Sequence, residues 1–342
     1  MQIMDHCEFA FPHLEPVLHS YLYDEQRQTF VSHTRSAIYV WARQGTELYP
    51  ESEAPHTRLV VPAPEATEFT DMVVIHPALV LADAAGYLNV YLPEQNTFAL
   101  STRVESMKGC RIIDMDFKRD LFVLHEKGFV SRFKNFGALE NGVQNFQQFA
   151  EAQNVPLKVS KNAVRLSVYA QEHLPQLVFV TEKYAVQVFC TPAGSSWQIL
   201  QEVGYLSEQL KKKDVSGIDA TAFCAADQTV LVGNKNGNVQ VWEIRMEEDR
   251  EDPLGFRLQF VPVVTQWQHG KAISSVKFAP KYLLSISADK DGCCVAWDIK
   301  HNTVVKKMIL HARQINSLEL HKGWLISSSN DLYTKVHRLW IE

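Results

Sequence analysis

Apolar and polar positions along this chain alternate in short runs, and the runs come in groups. The clearest group starts at His269, where HGKAISSVKF is followed by APK, YLLSISADKDGCCVAWDIK and HNTVVKKMIL. Val, Ile, Leu and aromatic residues fill the runs, which suits strands, and Ala-Pro, Asp-Gly and His-Asn turn signals separate them. Four strands in about 40–45 residues is the size of one propeller blade. The group from His311 repeats the pattern. His269, Ile273, Val276 and Phe278 in the first group correspond to His311, Ile315, Leu318 and Leu320 in the second.

Weaker copies precede these two. Inner-strand starts fall near Pro16, Glu68, Arg111, Ala163, Ser216, Ala272 and Gln314. Seven starts predict an all-β, seven-bladed propeller spanning residues 1–342 as one domain. The last copy holds only three strands, and the segment Cys7 to Phe11 is left over before the first. Residues 1–12 are therefore expected to supply the missing outer strand of the last blade, which closes the ring and removes an open edge. The stretches 44–56, 136–143, 153–162 and 246–255 read as loops between blade strands.

SISADKDGCCVAWDIK resembles the signature of the WD-repeat family, with Trp297-Asp298 as its Trp-Asp pair and Asp291 as its turn aspartate. The resemblance implies a stabilising network of His269, Ser287, Asp291 and Trp297. In the last repeat it implies His311, Ser327 or Ser329, and Asp331, with His337 where the tryptophan would stand. In the fifth repeat Asn236 replaces the aspartate, and Glu243 follows Trp242. The first four repeats carry the strand periodicity with few signature residues. The resemblance further implies a non-catalytic protein-interaction scaffold, or an adaptor subunit of a larger assembly.

Composition narrows the classes. The chain has 342 residues, 46% hydrophobic and 21% charged, with a formal net charge of −5. A mildly acidic balance is not that of a protein whose main contacts are nucleic-acid phosphates. The cysteines Cys7, Cys110, Cys190, Cys224, Cys293 and Cys294 are scattered without CxxC spacing, so reduced thiols in an intracellular protein, cytoplasmic or nuclear, are expected. The N-terminus lacks the features of a signal peptide. The longest apolar stretch, residues 72–85, is broken by His76, Pro77 and Asp83, so no membrane insertion is expected. No nucleophile elbow, HExxH, P-loop or EF-hand is present. No catalytic residue, metal, cofactor or small-molecule ligand is expected; the alternative is a propeller-fold hydrolase or esterase.

Sorting charge by predicted loop adds a candidate partner surface. The loops leading into inner strands carry Lys108, Arg111, Lys158, Lys161, Lys211, Lys212, Lys213, Lys271 and Arg313. The loops after third strands carry Glu47, Glu51, Glu53, Glu94, Glu140, Glu247, Glu248, Asp249, Glu251 and Asp252. A disc with one basic and one acidic face is expected. Lys108, Arg111, Lys161, Lys271 and Arg313 are the candidate contacts for an acidic segment of a partner protein. Trp242-Glu243-Ile244-Arg245 resembles the Trp-Asp-x-Arg box of cullin-RING ubiquitin ligase substrate receptors, with Glu243 departing from it.

Overall fold

The computed structural model describes residues 3–43, 56–64, 67–94, 97–107, 109–133, 157–170, 176–182, 186–191, 201–205, 220–249, 256–321 and 323–341. After β1 (Ile3–Pro12), blade 1 is β2 (His19–Asp24), β3 (Thr29–His33), β4 (Ala37–Arg43) and β5 (His56–Pro62). Blade 2 is β6 (Phe69–Ile75), β7 (Ala78–Asp83), β8 (Tyr87–Glu94) and β9 (Thr97–Glu105). Blade 3 is β10 (Ile112–Phe117), β11 (Leu121–His125), β12 (Phe129–Phe133) and β13 (Leu157–Lys158). Blade 4 is β14 (Ala163–Tyr169), β15 (Gln176–Glu182), β16 (Val186–Thr191) and β17 (Gln201–Tyr205). Blade 5 is β18 (Ala220–Ala226), β19 (Thr229–Asn234), β20 (Asn238–Glu248) and β21 (Phe256–Trp267). Blade 6 is β22 (Ile273–Ala279), β23 (Leu284–Asp289), β24 (Cys293–Asp298) and β25 (Thr303–Ile309). Blade 7 joins β26 (Ile315–His321), β27 (Trp324–Ser329) and β28 (Tyr333–Ile341) to β1.

Seven four-stranded sheets therefore form a seven-bladed propeller, and the N-terminal strand closes it. The inner strands start within a few residues of the positions expected from periodicity. Second strands such as β7, β11, β23 and β27 are buried along their whole length. Flanked on both faces by neighbouring blades, β7 and β11 are almost wholly apolar, because no face of the strand meets water, whereas β23 and β27 also bury serines and, in β23, Asp289.

The core lies between blades. One cluster joins Val31, Ile38 and Val40 of blade 1 to Phe69, Met72 and Leu81 of blade 2; similar clusters join blades 2 and 3, 3 and 4, 5 and 6, and 6 and 7. The closing interface is aromatic. Phe11 of β1 stacks on Trp41 of blade 1 with ring centroids 4.7 Å apart, beside Phe30 and Trp324.

Six inner strands share one irregularity. The register with the second strand shifts just after the first paired residue, between Phe69 and Asp71, Ile112 and Asp114, Ala163 and Arg165, Ala220 and Ala222, Ile273 and Ser275, and Ile315 and Ser317. This repeated bulge places the same positions of successive strands on the channel side. Among the described residues no helix is long and apolar enough to cross a membrane.

Deleting residues 1–12 removes the partner of β28 and takes Phe9 and Phe11 out of the closing cluster. Loss of one buried phenylalanine alone costs about 3–5 kcal/mol. The truncated protein should melt well below the full chain and elute as aggregates on size-exclusion chromatography. A monomer with unchanged melting would contradict the closure.

Candidate functional site

One face of the disc is organised by turns between second and third strands, among the described residues most clearly in blades 2, 5 and 6. Asp83 ends β7, and its Oδ1 accepts the N–H groups of Ala85 and Tyr87, both at 2.9 Å. Asn234 does the same for Asn236 (3.0 Å) and Asn238 (3.3 Å), and Asp289 for Asp291 (2.9 Å) and Cys293 (3.0 Å). Each turn carries a glycine three residues after the capping side chain. A Cβ on Gly292, at φ +83°, would lie 2.0 Å from the carbonyl oxygen of His311, so glycine alone fits. The Gly292 carbonyl accepts the N–H groups of Leu310 (3.0 Å) and His311 (3.3 Å), which fixes the loop entering blade 7. Sequence reasoning missed this device. Its signal is Asp or Asn with Gly three residues on, at Asp83, Asn234 and Asp289.

The histidine networks sit against these turns. His269 Nδ1 lies 2.8 Å from Asp289 Oδ2, and Nε2 lies 2.8 Å from Ser287 Oγ. The expected partner, Asp291, is corrected to Asp289. Asp291 is exposed and gives its backbone N–H to Asp289, because the carboxylate at the end of β23 reaches the histidine and the turn residue points out. Trp297 is also outside the network. It packs with Cys293 and Val295, and its Nε1 has no hydrogen-bond partner among the described residues. In blade 7, His311 Nδ1 lies 3.0 Å from Asp331 and Nε2 lies 2.8 Å from Ser327 Oγ. A carboxylate only accepts, so Nδ1–H donates to it and the serine hydroxyl donates to Nε2. Burial pushes both carboxyls up, but the hydrogen bonds from their histidines and from backbone N–H groups outweigh it and hold Asp289 and Asp331 below the usual range. Burial lowers His311, partly offset by Asp331.

The same face carries the candidate partner contacts. Arg111, Lys161, Lys271 and Arg313 are exposed, and each lies in the segment entering an inner strand. Each segment rests on the turn of the preceding blade: Cys110, next to Arg111, lies against Gly86, and Lys161, Lys271 and Arg313 lie against Gly128, Gly237 and Gly292, while the Arg111 carbonyl accepts the N–H of Glu126 in the turn of its own blade. Lys108 and Lys211 to Lys213 lie outside the described residues. The turns share this face and add Lys127, Lys235 and Lys290, but also Glu126 and Asp291. On the opposite face Glu94 and Glu247 are exposed, whereas Glu47, Glu51, Glu53, Glu140, Glu251 and Asp252 lie outside the described residues. Trp242 is buried in β20 and Arg245 pairs with Glu243 at 2.8 Å, so that box presents a strand surface rather than an open tryptophan.

Exposed apolar side chains accompany the basic ones. Trp267 and Ile309, 57% and 73% exposed, end the outer strands of blades 5 and 6, and Leu14, 77% exposed, follows the outer strand of blade 7. Trp267 and Ile309 occupy corresponding positions on the face that holds Lys271 and Arg313, and Leu14 lies two residues beyond that register. Sequence reasoning missed them, because the end of an alternating outer strand looks the same whether or not a loop covers it.

The centre of the ring is a channel of about 660 Å³ lined by the inner strands. Strand alternation stacks its polar side chains in rings. The first ring includes His19, Asp71, Asp114, Arg165, Ser275 and Ser317; the second includes Tyr21, Asp116, Ser167, Cys224, Lys277 and Glu319. These groups bond from blade to blade. Asp71 Oδ2 accepts the N–H of Met115 (2.6 Å), Asp114 Oδ2 that of Leu166 (2.6 Å) and Asp116 Oδ2 that of Val168 (2.7 Å). Ser167 Oγ accepts the N–H of Ala225 (3.3 Å) and Ser275 Oγ that of Leu318 (3.1 Å). Tyr21 donates its hydroxyl to the Met72 carbonyl (2.8 Å), and Asn316 donates to the Val17 carbonyl (2.7 Å). Burial raises Asp114 to about 6, against the pull of Arg165. Burial opposes charge on Lys277, yet Glu319, 2.8 Å away, helps to hold its ammonium above the usual range.

The architecture and its histidine-linked turns define a seven-bladed β-propeller with WD-repeat character. No protein-family profile matches the chain. Over 99 residues, 29% of the chain, it is 26% identical to human WD repeat- and FYVE domain-containing protein 4, of which the match covers 3%. Over 139 residues, 40% of the chain, it is 27% identical to mouse Pre-mRNA-processing factor 19, of which the match covers 24%. The chain thus matches only a small part of the length of these WD-repeat relatives. Among solved structures, the computationally designed Ika8 protein superposes with a TM-score of 0.58 at 14% identity, over 96% of this chain and 97% of that one. That likeness concerns the fold alone.

Two measurements check the turn networks. Asp289→Ala should cost about 1–3 kcal/mol by urea unfolding, since it orphans His269 and two backbone donors, while Asp291→Ala should change stability by less than about 0.5 kcal/mol. Equal effects would overturn the assignment. Carboxyls held low in the folded state contribute stability above about pH 4 that is lost as pH falls through their folded pKa. The urea midpoint should therefore drop below pH 4, and Asp331→Asn should make that drop shallower.

Proposed function

We propose that this protein is a non-catalytic interaction scaffold that takes an acidic segment of a partner protein, with apolar anchors, over blades 5 to 7. The observation that carries the reading is the pairing of exposed Trp267 and Ile309 with Lys271 and Arg313 on one face. Exposed apolar side chains rimmed by polar and charged residues are the mark of an interaction site. Tryptophan and isoleucine would anchor, while the basic residues would steer an acidic chain and act more on association rate than on affinity. The likeness to WD-repeat proteins supports a scaffold. Against a hydrolase, the channel carboxylates Asp71, Asp114 and Asp116 are engaged in holding backbone N–H groups of the next blade. Buried thiols such as Cys110 and Cys293, outside any disulfide among the described residues, support work inside the cell.

Affinity purification from the native source, followed by cross-linking, identifies the partner. Arg111→Glu with Lys271→Glu and Arg313→Glu should weaken its association at least 10-fold and reduce the dependence on salt. Trp267→Ala with Ile309→Ala should speed dissociation at least 10-fold. Glu94→Lys with Glu247→Lys, on the other face, should change neither. A complex that survives both sets of changes on the basic face refutes this site.

A further inference from the structure

We propose that His19, His33 and Asp71 form a divalent-metal site of the zinc class in the wall of the central channel. His19 and His33 are cross-strand partners on β2 and β3, and Asp71 comes from β6 of the next blade. One ligand atom from each lies within 4.8 Å of the others. His19 Nε2 and Asp71 Oδ1 are 3.2 Å apart. Tetrahedral zinc with bonds of about 2.0–2.1 Å sets its ligand atoms about 3.3 Å apart, so this edge is already at its bound length and only His33 must close in.

The independent observation is at His33. Its side chain is fully buried, and Nδ1 lies 3.2 Å from the carbonyl of Thr34. A carbonyl can only accept, so Nδ1 carries the proton and Nε2 presents its lone pair. That buried Nε2 has no hydrogen-bond partner among the described residues. A histidine whose far nitrogen donates to a carbonyl while the near one stays bare has the orientation of a metal ligand. Asp71 is likewise fixed from behind, by the N–H groups of Met72 (2.8 Å) and Met115 (2.6 Å).

The surroundings favour a cation. Among the described residues that line the channel, the acids Glu25, Asp71, Asp114, Asp116 and Glu319 outnumber the permanent cations Lys118, Arg165 and Lys277 by two, an excess that one divalent ion neutralises. Two imidazoles and one carboxylate suit zinc better than a hard cation such as calcium. His19 and Asp71 line the channel and His33 does not, so the open side of this three-ligand set faces the channel. A second grouping, His269, Asp289 and Cys293, is equally close-set, but both ring nitrogens of His269 are already engaged by Asp289 and Ser287.

The test uses the full chain stripped with a chelator and titrated with Zn²⁺ by calorimetry, and with Co²⁺ by visible absorption. Uptake of about one equivalent, a tetrahedral cobalt spectrum and a raised melting temperature are expected. His33→Gln and His19→Gln should each weaken Zn²⁺ binding at least 10-fold, whereas His301→Gln, at the exposed surface, should leave it unchanged. Should the buried variants not fold, ¹⁵N NMR of the unaltered protein decides, since Zn²⁺ must shift the Nε2 resonance of His33 while its Nδ1 stays protonated. No saturable uptake at micromolar Zn²⁺, binding unchanged in folded His33→Gln, or an unmoved His33 resonance overturns the proposal.

Discussion

Everything at the centre of this ring follows from the inner strands being edges. Each inner strand pairs with the second strand of its own blade, and its other side faces the next blade without a ladder. Buried backbone N–H and C=O groups on that side need partners. The chain supplies them from side chains one blade away: Asp71, Asp114, Asp116, Ser167 and Ser275 accept N–H groups, while Tyr21 and Asn316 donate to carbonyls. The bulge near the start of six inner strands keeps those side chains aimed the same way, so one local irregularity serves most junctions.

That requirement separates scaffold from surface. Carboxylates crowded around a channel resemble catalytic groups, and burial and mutual repulsion raise Asp71 as they would a general acid. Here their oxygens are committed to backbone donors. The turns at the rim are committed as well, through Asp83, Asn234 and Asp289. Uncommitted chemistry is concentrated where no hydrogen-bond ladder needs completing: the exposed tips of outer strands, the basic entry segments, and the bare Nε2 of His33.

The contrast between blades 6 and 7 shows that such a network can be completed from two different sequence positions. In blade 7 the carboxylate that meets the histidine stands in the turn, at Asp331, and Ser329 caps that turn. In blade 6 a single residue does both: Asp289 caps the turn with one oxygen and meets His269 with the other. The same hydrogen bonds are satisfied by different positions, which a motif read at fixed spacing cannot see.

The number of blades, the place of each inner strand and the closing role of residues 1–12 were legible in the sequence. Strand alternation and turn residues are local, and seven similar units leave one way to use the leftover segment. The basic character of the entry segments was legible too, since Arg111, Lys161, Lys271 and Arg313 each precede an inner strand. Local patterns do not report what lies across a blade junction. Only the tertiary structure decided that Asp289 and not Asp291 meets His269, that Trp267 and Ile309 stay uncovered, and that His19, His33 and Asp71 converge. Each of those depends on the twist and stacking of neighbouring sheets, which bring together residues that no spacing along the chain connects.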